Sequence, residues 1–172
     1  MTLLVKIARR IINFLKRLIF TEIVKYQALN VGRNLIVNHY SNVTSKTILA
    51  NNVNFNGLII KGGGNVSIGN NFHSGSGCII LTSIHNYDSG EKIPYDESTI
   101  QKDVIIGDNV WLGINVTILP GITIGEGAII QAGSVVTSNI PDCAIAGGHP
   151  ARIFKYRNKI HYYGLKEKNK VF

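Results

Sequence analysis

Cysteine, proline, tryptophan and negative charge are all scarce in this chain, and each shortage excludes something. The two cysteines, Cys78 and Cys143, stand far apart and in no CxxC arrangement. They make neither a disulfide framework nor a cysteine zinc site, and they fit a reduced, cytoplasmic compartment. Four prolines beside eighteen glycines, with no collagen-like period, point to repeated tight corners. Charged residues make up only 16% and hydrophobic ones 45%, a balance that folds rather than staying disordered. The 172 residues suffice for one domain with a sizeable core. Ten acidic residues face eighteen Lys and Arg, a net charge of +8 gathered at the two ends. Lys6, Arg9, Arg10, Lys16, Arg17 and Lys25 lie in residues 1–25; Arg152, Lys155, Arg157, Lys159, Lys166, Lys168 and Lys170 lie in 152–170. Basic ends on a near-neutral body suit local anionic partners. No RNA-binding signature or basic patch interleaved with aromatics is present, so no nucleic-acid partner is expected.

The opening "MTLLVKIARRIINFLKRLIF" lacks an unbroken apolar run of about 20 residues, which excludes a spanning helix. At about 100° per residue its bases and Asn13 fall within an arc of roughly 120°, which predicts an amphipathic helical segment over 1–28. Such a helix either packs on the domain or a neighbouring subunit, or lies on an anionic membrane surface through residues 1–25.

From Ile100 the chain reads in sixes: IQKDVI, IGDNVW, LGINVT, ILPGIT, IGEGAI, IQAGSV, VTSNIP. The first position is aliphatic throughout, and the fifth is mostly apolar or small. A helix would space its apolar residues at 3.6, whereas a strict six suits one short strand plus one corner, stacked in coils. Val31, Val37, Val43, Leu49 and Phe55 follow the same step, with Leu35, Ser41, Thr47, Val53 and Ile59 at fifth positions. The phase slips near KGGGN (61–65) and resumes through Ile68, Ser74 and Ile80, with Phe72, Cys78 and Ile84 at fifth positions. Fifteen hexapeptides at three per coil predict an all-β parallel β-helix of about five coils over residues 31–149. A loop excursion is expected at 86–99, and a basic C-terminal tail at 150–172. Glycine, asparagine and aspartate cluster where left-handed corners are required, as in GDN (107–109) and GNN (69–71).

Residues 105–157, with the marks "IGDNVWLG", "ILPGITIGEGAIIQAGSVVT" and "IPDCAIAGGHPARIF", closely resemble the hexapeptide-repeat acyltransferases of left-handed parallel β-helix fold. Within them the chain is most similar to the acetyl-CoA-dependent O-acetyltransferases of the maltose, galactoside, nodulation-factor and surface-polysaccharide group. The resemblance covers residues 31 to about 157. It implies a homotrimer with sites between subunits, acetyl-CoA as co-substrate, no metal, and a sugar or polysaccharide-precursor acceptor.

Acetyl transfer from a thioester to an alcohol requires a base for the hydroxyl proton, a donor for the oxyanion and a grip on the carrier. A histidine just before the loop is the family's general base, which assigns His85, at the sixth position of ILTSIH and expected at a coil corner. The main chain at Gly113–Ile114, beside "WLGI", is the oxyanion candidate, and Trp111 resembles the tryptophan that lines the site. The coenzyme arm is expected along Ala132 and Gly133, then Thr137 and Ser138. Many relatives carry lysine where Ser138 stands. Arg152 and Lys155, with Arg157 behind them, remain to meet the phosphates. Acceptor contacts are expected from His73, Tyr87, Asp88 and Tyr95, the tyrosines offering faces to a sugar ring. Asp88 and Glu91 are also placed to orient the imidazole. Cys78 reads as a small core residue.

Three other functions share the fold. A γ-class carbonic anhydrase needs a zinc-binding histidine pair about five apart, and here His73 and His85 are twelve apart. An N-acetyltransferase of a nucleotide-linked amino sugar stays open, because hexapeptides do not separate amine from alcohol acceptors. An antibiotic O-acetyltransferase stays open as well. The expected location is cytoplasmic or peripheral at the inner face of the membrane.

Overall fold

In the computed structural model, residues 3–171 are described; Met1 and Thr2 of the amphipathic segment and Phe172 of the basic one lie outside them. Helix α1 (Leu3–Gln27) runs without glycine or proline. The first turn of the solenoid is β1 (Asn30–Val31), β2 (Ile36–His39) and a bridge at Asn42. The second is β3 (Thr47–Leu49), β4 (Asn54–Asn56) and β5 (Leu58–Lys61), and the third β6 (Val66–Ile68), β7 (His73–Ser74) and β8 (Cys78–Leu81). A hairpin of β9 (Ser83–His85) and β10 (Thr99–Gln101) then leaves the coil. The fourth turn is β11 (Val104–Ile106), β12 (Trp111–Leu112) and β13 (Thr117–Ile118); the fifth is β14 (Thr123–Ile124), β15 (Ile129–Ile130) and β16 (Val135–Val136). A bridge at Ile140 and β17 (Ala144–Gly148) add two sides of a sixth. Strand β18 (Ala151–Tyr156) returns antiparallel along β17, and α2 (Lys159–Glu167) follows.

The strands stack into three parallel faces: β1-β3-β6-β11-β14, β2-β4-β7-β12-β15-β17, and β5-β8-β13-β16. Ile105 pairs with Thr123 and Trp111 with Ile129, eighteen residues on each time, as three hexapeptides require. The solenoid is therefore a β-helix of about six turns rather than five. The extra partial turn lies where VTSNIP gives way to the last parallel strand, with the step shortened to sixteen between Ile129 and Ile145.

The aliphatic ladder of the sixes forms the core. Ile106, Leu112, Ile118, Ile124, Ile130 and Val136 are buried, and so are Val104, Val110, Val116, Ile122 and Ala128 from the fifth positions. Phe55 and Phe72 fill the earlier coils with an edge-to-face contact at 6.0 Å. The repeat fails at three predicted places. Ile59 is only half-buried, because the phase slips already at Gly57 (φ +103°), which puts Leu58 and Ile60 inside. Ile84 and Ile100 are exposed, because they pair with each other on the hairpin outside the coil.

The corners between the first and second faces use one residue type for one reason. Asn34, Asn52, Asn71 and Asn109 all have φ near +60°, and each of the first three donates its side-chain amide to the next at 2.9 Å. Asparagine tolerates the left-handed angle and pairs with the copy above it. Cys143 occupies the same corner two turns later (φ +59°), buried. At the open first turn α1 is the cover: Val24 is fully buried, Thr21 Oγ1 accepts from Val37 N–H (3.1 Å), and Gln27 Oε1 accepts from Val43 N–H (3.2 Å).

Candidate functional site

Two groups of predicted site residues sit on different edges of the prism. The first is the excursion, at the edge between the third and first faces. Its neck is closed at Thr82, whose N–H donates to Lys61 O (2.8 Å) and whose carbonyl accepts from Lys102 N–H (2.9 Å). Above that neck β9 and β10 pair, so the departure spans 83–101 instead of 86–99. His85 is thus not at a coil corner. It ends β9 opposite Thr99, exposed, with its ring stacked on Tyr95 (centroids 3.8 Å apart, planes 16° off parallel). Tyr95, expected to meet the acceptor, covers one face of the imidazole.

Asp96 ties the tip together. Its carboxylate accepts from Glu91 N–H (2.8 Å), Ser98 N–H (2.8 Å) and the Ser98 hydroxyl, and these bonds, led by the hydroxyl, hold its pKa below the usual carboxylate range. Asn86 Oδ1 caps Ser89 in the same way (2.8 Å to Oγ), and Lys92 pairs with Glu97 at 2.7 Å. Tyr87, Asp88 and Glu91 are exposed on this excursion.

The second group lies at the edge between the second and third faces. A Cβ placed on Gly75 would lie 2.6 Å from Ile114 N, and one on Gly113 would lie 2.5 Å from Ala132 N. Only glycine lets the coils approach so closely there. Beyond them Gly133 (φ +70°) has open space around it, and Gly147 pairs with Arg152 across β17 and β18. Gly113, Ala132, Gly147 and Arg152 therefore climb one edge. Ile114 is exposed, and among the described residues its N–H donates to no other group of the chain. Lys155, opposite Ile145, stands farther back on the second face. Thr137 and Ser138 follow β16, at the edge that carries the excursion, so they do not line the Ala132 edge.

His73 and Trp111 pair on adjacent strands of the second face. Burial lowers the His73 pKa, favouring the neutral ring. Beside them is a groove of about 400 Å³, closed on its other side by Arg157, Tyr162, Leu165, Lys166 and Lys170. The basic segment expected as a tail is here a strand and a helix. Asn158 caps α2 by accepting from His161 N–H (3.0 Å), and Tyr162 and Lys166 both donate to Glu126 (3.0 and 2.6 Å). Burial, reinforced by that carboxylate, pushes the Tyr162 phenol well up. The groove's helical wall went unseen in the sequence; Asn158 before an alternation of apolar and basic residues was its available signal. Cys78 is buried, its thiol donating to Gly113 O (3.1 Å), with its pKa raised by burial. Among the described residues no cluster of three His, Cys, Asp or Glu could hold a metal ion.

Against known families, residues 103–138 match the bacterial transferase hexapeptide family (six repeats). That stretch carries the six bacterial-transferase hexapeptide repeats of the family model. Among solved structures, this chain is similar to a galactoside acetyltransferase in complex with coenzyme A. The two are 29% identical with a TM-score of 0.67, over 81% of this chain and 70% of that one. A hexapeptide-repeat acetyltransferase of Vibrio cholerae is 26% identical, with a TM-score of 0.60 over 77% and 76% of the two chains. An N-acyltransferase of Bacillus cereus, in complex with dTDP and coenzyme A, shares the fold at 21% identity (TM-score 0.64, 87% and 95% covered).

Proposed function

We propose that the hexapeptide-repeat protein is an acetyl-CoA-dependent acetyltransferase acting on a sugar hydroxyl of a surface-polysaccharide precursor, in the cytoplasm. The observation that carries this reading is the edge of Gly113, Ala132 and Gly147, a column of small residues beside an Ile114 N–H that no described group of the chain accepts, in a fold shared with a galactoside acetyltransferase in complex with coenzyme A.

The acceptor hydroxyl gives its proton to His85 as its oxygen bonds to the thioester carbonyl carbon. The carbonyl oxygen becomes the oxyanion, and the Ile114 N–H meets it. The intermediate collapses by breaking the carbon–sulfur bond, the leaving thiolate takes the proton from His85, and ester and free thiol remain. Acetyl-CoA lies along the small-residue edge with Trp111 at its reactive end, and its phosphates meet Arg152, with Lys155 and Arg157 behind. His73, Tyr87 and Asp88 surround the acceptor.

These two groups of residues are separated by the whole third face of one chain. A complete site needs the excursion edge of one copy against the glycine edge of the next. Repeated head to tail and closed, that contact makes a ring, and we assign a homotrimer.

The experiment is an acceptor screen with purified protein and acetyl-CoA, reading free thiol. Release with neutral sugars or glycans supports O-acetylation. Release only with amino sugars, or only with antibiotics, assigns the site to those acceptors. No release with any acceptor, together with no thermal shift by acetyl-CoA, overturns the proposal.

A further inference from the structure

The β-helix uses only the last two turns of α1. Phe20, Thr21, Val24, Gln27 and Ala28 meet the first coil, whereas residues 3–19 are all exposed. That exposed arm is not polar. Leu4 (79% exposed), Ile11 (54%), Leu15 (50%) and Leu18 (47%) lie on one side, joined by Leu3, Ile7, Ile12, Phe14 and Ile19 around it.

The direction of this apolar side follows from the stripe that anchors the helix. Arg10, Asn13, Arg17, Phe20, Val24 and Gln27 recur at alternating spacings of three and four, so they share one side of α1. Its lower part is buried against the coil, and its upper part, Arg10, Asn13 and Arg17, shares a hollow with Asn38 of β2. Leu4, Ala8, Ile11, Leu15 and Leu18 recur at the same spacings on the opposite side, directed away from the protein's own body. No carboxylate precedes Glu22, so the arm's five cations have no acidic partner within it.

We propose that α1 is a docking arm that lies flat on an anionic lipid surface. Its outward apolar side sinks into the acyl boundary, and Lys6, Arg9, Arg10, Lys16 and Arg17 meet the headgroup phosphates at the water side. The β-helix then stands on that same water side, clear of the bilayer, because body and bases share one side of the helix. Insertion across the bilayer is not the mode: no described helix is long and apolar enough to span. A second arm packed apolar side to apolar side leaves all five cations without an acid, whereas an anionic lipid surface meets both sides. This inference stands independently of the acetyl-transfer reading.

The test is flotation of the full-length protein with vesicles of phosphatidylcholine alone, and with about one third phosphatidylglycerol added, at low and high salt. The expected result is recovery with the anionic vesicles, on the order of tenfold less with neutral ones, and loss in high salt. Leu15→Glu, on the outward side and touching no buried group, should abolish flotation while melting temperature and elution volume stay those of the parent. Two results overturn the proposal. One is no recovery with anionic vesicles. The other is a larger assembly without lipid that Leu15→Glu breaks into smaller ones, which gives the apolar side to a second copy.

Discussion

Gly113 shows how much a single residue carries here. Its hydrogen is the only substituent that fits, since a methyl would sit 2.5 Å from Ala132 N and neither backbone can yield without shifting a coil. Gly113→Ala should cost about 1–3 kcal/mol, read as a fall in melting temperature. It should also weaken thermal stabilisation by acetyl-CoA, because the shifted coil carries the edge proposed to hold the coenzyme. Tyr95 makes the complementary case. Its ring lies flat on His85, so Tyr95→Phe should keep most of the activity, whereas Tyr95→Ala should lower kcat more than it raises KM for acetyl-CoA. A hydroxyl role for Tyr95 would instead make the phenylalanine variant as poor as the alanine one.

Among the elements, the excursion is the one built from local polar bonds instead of the core. Asp96 is its knot, and its depressed pKa states how that knot responds to acid. A carboxyl whose folded pKa lies below its unfolded value stabilises the fold above the unfolded pKa, near 3.9. That contribution is lost as pH falls through the lower folded value. The excursion should therefore become protease-sensitive below about pH 4 while the coils persist. Asp96→Ala should show the same sensitivity at pH 7, cleaved within residues 86–98. Unchanged cleavage would contradict the assignment of Asp96 as the knot.

This element also marks where the sequence was legible and where it was not. A period of six reports burial, and it located Leu112, Ile118 and Ile124 because stacked coils bury the same position in every turn. ILTSIH and IQKDVI keep the period by composition, yet Ile84 and Ile100 pair outside the coil, and nothing in a hexapeptide distinguishes a rung from a hairpin arm. The Tyr95–His85 stack joins residues ten apart across an irregular tip, a contact without a period. Likewise α2 is held to the coil by Glu126, forty residues before Lys166, so its bases read as a tail. His85, Trp111, Gly113 and Ala132 were singled out through a resemblance, and their distribution over two edges required the fold.

For the whole molecule, that distribution is the main consequence. Under the proposed reading, with the base on one edge and the coenzyme on another, a single chain should be inactive and a ring active. Mixing two dead variants tests this. His85→Ala lacks the base, and Ala132→Trp fills the small-residue edge. Unfolded together and refolded, they should regain a fraction of wild-type activity, because some interfaces pair an intact His85 with an intact Ala132. No recovery, with trimers formed, would place the complete site within one chain.

The central claim is that His85 removes the acceptor's proton during acetyl transfer. The most direct measurement is the rate of thiol release from acetyl-CoA with the acceptor found by the screen, for wild type and His85→Ala. A lost general base should reduce kcat by about 10²–10⁴, with acetyl-CoA affinity and melting temperature unchanged. A variant that turns over within a few-fold of wild type would contradict the account.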